Sequence, residues 1–225
     1  YTDGIKHACQ AINYIDERIK LDAVAVLGDY TDYYLTTNYN DAINDFKSIN
    51  SLLNNLRITD NLRLQGNHDR YPANVPLTHR FIQSYSDNVV WGDKIGGYYY
   101  KDFDSYKLRI ISLNVTENDS IDTSNNKPYG NIACSKAQYD WFINSLDLTD
   151  KEDAEKWQIL VLSHQPLDWY VDDGIYKFAY ILDAYRNGAS WSGGNISCDF
   201  AEKNKAILIG NIHGHLHSFK TGYLN

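Results

Sequence analysis

Several residue types and patterns are scarce in this sequence or missing from it. None of its 225 residues is a methionine, and because translation begins with methionine, we expect the chain to be a processed or incomplete piece of a longer protein. Its three cysteines, Cys9, Cys134 and Cys198, are too few and too scattered for a disulfide framework or a thiolate metal cluster. Without such a framework, the reducing cytoplasm is the default expectation for its location.

Long hydrophobic runs are also missing. The longest, at residues 23–27 and 159–162, fall far below the roughly 20 residues that a helix needs to cross a bilayer. The first twenty residues mix acidic and basic side chains among apolar ones, which does not match a secretory signal. We therefore expect no membrane span in this sequence and no signal peptide in its first twenty residues.

The sequence has no excess of basic charge. It has 29 acidic against 21 basic side chains, a net charge of −8, and no Lys/Arg run that would follow a phosphate backbone. Nucleic acid and anionic membranes are therefore not favoured as partners. The 43% hydrophobic content and the lack of a linker or repeat predict a single domain over residues 1–225, and the oligomeric state cannot be inferred.

Helical and strand patterns alternate along the chain. Apolar residues recur with the helical period over residues 4–20 and 42–56, and short apolar runs at 23–27 and 62–65 follow as buried strands. Further on, the patterns predict strands at 97–103, 108–115, 158–162 and 206–209, a helix at 135–146 capped by Ser135, and loops at 116–133 and 165–198. This order predicts an α/β fold with a layered, sandwich-like β-sheet core flanked by helices on both faces.

Polar side chains follow four of the predicted strands at the points where they end. They are Asp29, then Asn67, His68 and Asp69, then His164, and finally His215 and His217. Ligands of open α/β sheets bind at the carboxyl ends of the strands, so we expect these groups to converge on one crevice. Oxygen and imidazole ligands suit divalent cations, and a carboxylate such as Asp29 can bridge two of them about 3.5–4 Å apart.

These motifs resemble those of the calcineurin-like metallophosphoesterase superfamily in their order and wide spacing. The matching segments are Gly28-Asp29-Tyr30-Thr31-Asp32, Gly66-Asn67-His68-Asp69, Ser163-His164-Gln165-Pro166 and Gly214-His215-Leu216-His217. Members also have an earlier Asp-x-His motif after a first strand, and nothing here matches it. We therefore expect this strand upstream of Tyr1, and a fold that is incomplete at both ends.

The resemblance implies a dinuclear centre in which Asp29 bridges two divalent metal ions. Asn67, His164 and His215 would complete one coordination sphere, and His217 would contribute to the other. His68 would act as general acid over the phosphate, oriented by Asp69. Mn is favoured by ligand hardness, although Fe, Zn, Co and Ni suit mixed nitrogen and oxygen ligands as well.

The implied activity is hydrolysis of a small phosphomonoester or phosphodiester by a hydroxide that bridges the metals. Two alternatives remain open: a nuclease with the same centre, and a non-catalytic scaffold whose metal site is degenerate because Asp-x-His is missing. For substrate binding, Arg70 can hold a phosphate or form a salt bridge. Trp169 and Tyr170, with Trp191, can stack on a base or sugar or simply pack.

Overall fold

A computed structural model of the chain describes residues 2–30, 39–69, 88–116, 134–168 and 176–216. These residues form four α-helices and nine strands. In chain order they are α1 (Thr2–Asp16), β1 (Ala23–Val26), α2 (Tyr39–Leu53), β2 (Asp60–Arg63), β3 (Val90–Asp93), β4 (Tyr98–Phe103), β5 (Leu108–Ser112), α3 (Lys136–Leu146), β6 (Gln158–Ser163), α4 (Tyr176–Asn187), β7 (Ser190–Gly193), β8 (Ile196–Asp199) and β9 (Ile207–His213).

The strands form two main sheets and a small hairpin. One sheet is the parallel pair β1–β2, and the other has five strands in the order β3-β4-β5-β6-β9. Within the larger sheet β5, β6 and β9 are parallel, whereas β3 and β4 are added in antiparallel fashion at one side. Because parallel strands all end at the same edge, the residues that follow β5, β6 and β9 lie side by side.

Three apolar clusters lie between the layers of the structure. Helices α1 and α2 cover one face of β1–β2 through a cluster around Cys9, Phe46 and Ile49, with Val24 and Val26 packed against it. A second cluster, which includes Leu62 of β2 and Leu162 of β6, joins residues of the two sheets. The third and largest cluster packs α3 and α4 on the other face of the five-stranded sheet. The expected layered β core with helices on both faces is therefore confirmed.

The structure confirms most of the predicted elements, corrects two of the predictions and adds β3, which the sequence patterns did not predict. Helix α3 begins after Ser135, whose side chain accepts a hydrogen bond from the Gln138 N–H as an N-cap. The prediction of a loop over 165–198 is wrong, because α4 and the β7–β8 hairpin occupy much of it. Strand β9 also extends beyond the predicted 206–209, to His213. Most of the predicted loop at 116–133 lies outside the described residues.

The described helices include no candidate for a membrane span, since none combines the necessary length with sufficient apolar character. The three cysteines form no disulfide.

An ion pair between the buried Arg109 and the partly buried Asp102 joins β5 and β4. The Arg109 guanidinium donates two hydrogen bonds to the Asp102 carboxylate, at 2.7 and 2.8 Å, and a third to the Ser145 carbonyl. Lys151 lies 2.9 Å from the same carboxylate. Burial alone would raise the pKa of Asp102, but the hydrogen bonds from Arg109 and Lys151 outweigh burial and lower it. The ionised carboxylate therefore stabilises the fold above about pH 4, the ordinary pKa of Asp, and this contribution is lost as the pH falls.

Replacing Asp102 with asparagine should lower the free energy of unfolding at pH 7 by about 3 kcal/mol, because the buried Arg109 loses its counter-charge. Urea denaturation at several pH values measures the effect, and the difference from the wild type should shrink below about pH 4. Asp153→Asn is the control: its carboxylate also pairs with lysines but is much more exposed, so we expect a much smaller loss than in Asp102→Asn. Equal losses in the two variants would contradict the assignment.

Candidate metal centre

The predicted metal ligands that the structure describes come from four different strand ends. Asp29 follows β1, and Asn67 begins a short 3-10 turn, Asn67–Asp69, beyond β2. His164 comes directly after β6, and His215 comes two residues after β9. These residues are far apart in sequence, and the strand arrangement brings them to one edge of the molecule.

Two glycines allow the loops after β1 and β2 to approach each other closely. A Cβ atom added to Gly28 would lie 2.7 Å from the Gly66 Cα, and one added to Gly66 would lie 2.8 Å from the Asp29 Cγ. Gly28 also has a positive φ of 98°. Asp29 and His215 have φ of 58° and 66°, a left-handed conformation that costs energy in non-glycine residues and clusters at functional sites.

The Asp69 carboxylate fastens these two loops together. It accepts hydrogen bonds from the backbone N–H groups of Asp29, Tyr30 and Gly66 at 2.8, 2.6 and 2.7 Å. The His68 N–H in turn donates to the Asp29 Oδ1 at 3.0 Å. Burial, and next the nearby Asp29 charge, raise the pKa of Asp69 to about 7. Asp69 therefore supports the backbone on both sides of the site, and its expected role in orienting the His68 ring remains a prediction.

A backbone carbonyl determines which nitrogen of His164 faces the site. The His164 Nδ1 lies 2.7 Å from the Leu27 carbonyl oxygen, which can only accept a hydrogen bond, so Nδ1 carries the proton. In the neutral ring, Nε2 then offers its lone pair. This atom is 3.2 Å from the Asp29 Oδ2 and 3.0 Å from the Asn67 Oδ1. A hydrogen bond of this kind to the far side of the ring is typical of metal-binding histidines.

His215 completes the cluster. Its Nδ1 lies 2.9 Å from the Asn67 Oδ1 and 3.2 Å from the His164 Nε2. Ligand atoms bound about 2.1 Å from one ion, at right angles to each other, are about 3.0 Å apart. The spacings of Asp29 Oδ2, Asn67 Oδ1, His164 Nε2 and His215 Nδ1 therefore fit a single divalent cation.

Protons and a cation would compete for this cluster. Burial would raise the pKa of Asp29, but hydrogen bonding to His164 and the nearby histidine charges outweigh burial and lower it. Burial likewise opposes protonation of His164, and the hydrogen bond to Asp29 raises its pKa overall. Protonation of His164 therefore competes with metal binding, and metal affinity should fall as the pH is lowered.

Four predicted site residues lie outside the described residues: His217, Arg70, Trp169 and Tyr170. Trp191, which sequence reasoning grouped with the last two, lies on β7, where its ring stacks on Tyr180 at a centroid distance of 5.7 Å. The described residues therefore form one cluster that could hold an ion, and of the two residues expected to bind a second ion only Asp29 is described.

Sequence reasoning missed the Leu27 carbonyl, because a backbone group carries no signal in a sequence. It also gave no role to Gln165, which belongs to one of the matching motifs and follows His164 directly. Its side chain is completely buried, and neither of its amide atoms has a hydrogen-bond partner among the described residues. Its position next to His164 in the sequence could have indicated that it lies near the site.

Comparison with known families agrees with this geometry. The family model for calcineurin-like phosphoesterases matches residues 3–219, and the chain therefore belongs to this family. Members of the family are in general phosphoester hydrolases that bind divalent metals. A search of curated proteins finds no match.

Replacing Gly66 with alanine should disrupt metal binding, because the added methyl group collides with the Asp29 carboxylate and backbone. We expect the dissociation constant for Mn²⁺, measured by calorimetry on chelator-treated protein, to rise at least about tenfold. Gly4→Ala in α1 is the matched control, since a Cβ there meets no atom within 4 Å. Unchanged Mn²⁺ affinity in Gly66→Ala would show that Asp29 does not contribute to the site.

Proposed function

We propose that the protein hydrolyses a small phosphomonoester or phosphodiester at a dinuclear metal centre. The observation that carries the proposal is the convergence of Asp29, Asn67, His164 and His215, whose ligand atoms lie 2.9–3.2 Å from one another where closest. The order of the ligand motifs and membership of the family support it. When bound, divalent cations neutralise phosphate oxygens and lower the pKa of water, so that it attacks phosphorus.

In this proposal the carboxylate of Asp29 belongs to both metal sites. Its Oδ2 faces His164, and its Oδ1 accepts the His68 N–H. Asn67, His164 and His215 complete the first site, and His217 is assigned to the second. Mn²⁺ suits this mixture of nitrogen and oxygen ligands, as do Fe, Zn, Co and Ni.

His68 is the proposed general acid. It lies at the centre of the turn that Asp69 fastens to the β1 loop, and its backbone N–H donates to Asp29, so its position follows that of the metal ligands. A protonated imidazole beside the phosphate donates its proton to the leaving alkoxide. The acid is needed because an alkoxide is a poor leaving group in water at neutral pH.

The net charge of −8 favours a small phosphate ester over a nucleic acid as substrate. Within this proposal Arg70 binds the phosphate, and Trp169 and Tyr170 contact the rest of the substrate.

Replacing His68 with alanine should lower kcat on a chromogenic phosphate ester by about 10²- to 10⁴-fold, because the leaving group loses its proton donor. Elemental analysis should find nearly the wild-type metal content, since His68 is not a proposed ligand. Asp29→Ala should lose metal as well as activity. His7→Ala, in the exposed part of α1, is the control and should keep both. Equal metal loss in the His68 and Asp29 variants would refute this division of roles.

A substrate panel separates the proposed esterase from its two alternatives. We expect turnover of small phosphomonoesters or phosphodiesters to exceed cleavage of single-stranded oligonucleotides at low salt. Faster cleavage of oligonucleotides would instead identify a nuclease. A protein that turns over none of these substrates and whose metal site is empty or half-occupied would match the scaffold alternative.

A further inference from the structure

The four converging ligands are supplied by two different sheets. Asp29 and Asn67 follow strands of the β1–β2 pair, whereas His164 and His215 follow strands of the five-stranded sheet. The distance between these two halves of the site therefore depends on how far apart the sheets lie at this edge. A shift of about 0.5 Å is enough to disturb a site of this kind.

Apart from the contacts among the candidate ligands themselves, three polar contacts between described residues connect β2 and the segment after it to β4 and the segment after β5. At the start of β2, the Lys101 Nζ lies 2.5 Å from the Asp60 Oδ1. At its end, the Tyr99 hydroxyl accepts a hydrogen bond from the Arg63 N–H at 2.7 Å and donates one to the Arg63 carbonyl at 3.1 Å.

The third contact lies nearest to the metal ligands. The Asn114 Nδ2 donates to the Gln65 Oε1 at 3.2 Å, and Gln65 is only two residues before Asn67. Asn114 itself follows β5, at the same edge as His164. This hydrogen bond therefore links the two sheets next to the point where the ligands meet.

The surroundings of Asn114 allow its amide only one orientation. Its Oδ1 accepts hydrogen bonds from the N–H and the hydroxyl of Thr116, and its Nδ2 also donates to the Gly96 carbonyl at 2.6 Å. The Gln138 side chain bonds to both the N–H and the carbonyl of Asn114. Asn114, Gln65 and Gln138 are all buried, so these bonds are shielded from water. Because these bonds fix the position of the Asn114 side chain, its hydrogen bond to Gln65 also restrains the position of the segment after β2.

We propose that Gln65 and Asn114 are positioning residues of the metal centre. Their hydrogen bond sets the distance between Asn67 and the two histidines, and neither side chain contacts the ion. This inference rests on the proposed function, since it requires that the cluster binds a metal. Removing a residue that positions the metal ligands without touching the ion typically lowers metal affinity by about 10- to 100-fold.

The test replaces Gln65 with methionine. The new side chain has a similar volume, and Asn114 keeps its bond to the Gly96 carbonyl, so the fold should tolerate the change. We expect the Mn²⁺ dissociation constant of chelator-treated protein to rise about tenfold or more, and the visible spectrum of the Co²⁺-loaded protein to change. The spectrum reports the geometry around the ion, which a general loss of stability would leave unaltered.

Lys101→Met is the matched control. It removes the contact at the far end of β2, seven residues from Asn67, and also introduces a buried methionine. We expect its melting temperature to fall by at least as much as that of Gln65→Met. Its Mn²⁺ affinity should stay within about twofold of the wild type, and its Co²⁺ spectrum should not change.

Asn114→Ala removes the same hydrogen bond from its other partner. In a double-mutant cycle, the effects of the two changes on Mn²⁺ affinity should not add, because both remove the hydrogen bond between Asn114 and Gln65. Asn114→Ala also removes the bonds to Gly96 and Thr116, so its own effect should be at least as large. If Gln65→Met has the Mn²⁺ affinity and Co²⁺ spectrum of the wild type, the inference is wrong and the proposed function is unaffected. The same holds if Lys101→Met changes the affinity and the spectrum as much as Gln65→Met does. Failure of the wild-type protein to bind Mn²⁺ or Co²⁺ would overturn the proposed function as well.

Discussion

The site depends on the close approach of two backbone segments. Gly28 and Gly66 lie so near each other that neither position has space for a Cβ atom. The Asp69 carboxylate holds them there by accepting three backbone N–H bonds from the two loops. Leaving these buried groups unpaired would be costly, so the loops stay together. Asp29 and Asn67 are the residues directly after the two glycines, and this contact places both of them.

The remaining described candidate ligands follow strands of the five-stranded sheet, so the candidate metal centre lies between the two layers. His164 reaches across to the Leu27 carbonyl beyond β1, and Asn67 lies within hydrogen-bonding distance of both histidines. A cation held by all four residues would bind the folded chain and not the unfolded one. Its binding would therefore add to the stability of the fold.

Local patterns were enough to predict much of the fold. The helical period of α1 and α2 is visible in sequence because each helix buries one defined face, and the apolar run of β6 is visible because this strand is buried on both faces. Helix α4 also has this period, in Phe178, Ile181, Leu182 and Tyr185, but it lies in a stretch whose aromatic residues and paired glycines led to its interpretation as a loop. The four-residue strands of the β7–β8 hairpin are too short to show a clear alternation.

The sequence by itself determined which residues are candidate ligands and that each follows a strand, since residue type and apolar runs are local properties. Only the tertiary structure decided that Asp69 supports two loops, that the Leu27 carbonyl orients His164, and that Gln65 meets Asn114. Each of these contacts joins segments that are distant in the chain or depends on the turn of a loop. Strand pairing and layer packing determine such contacts, and no local pattern encodes them.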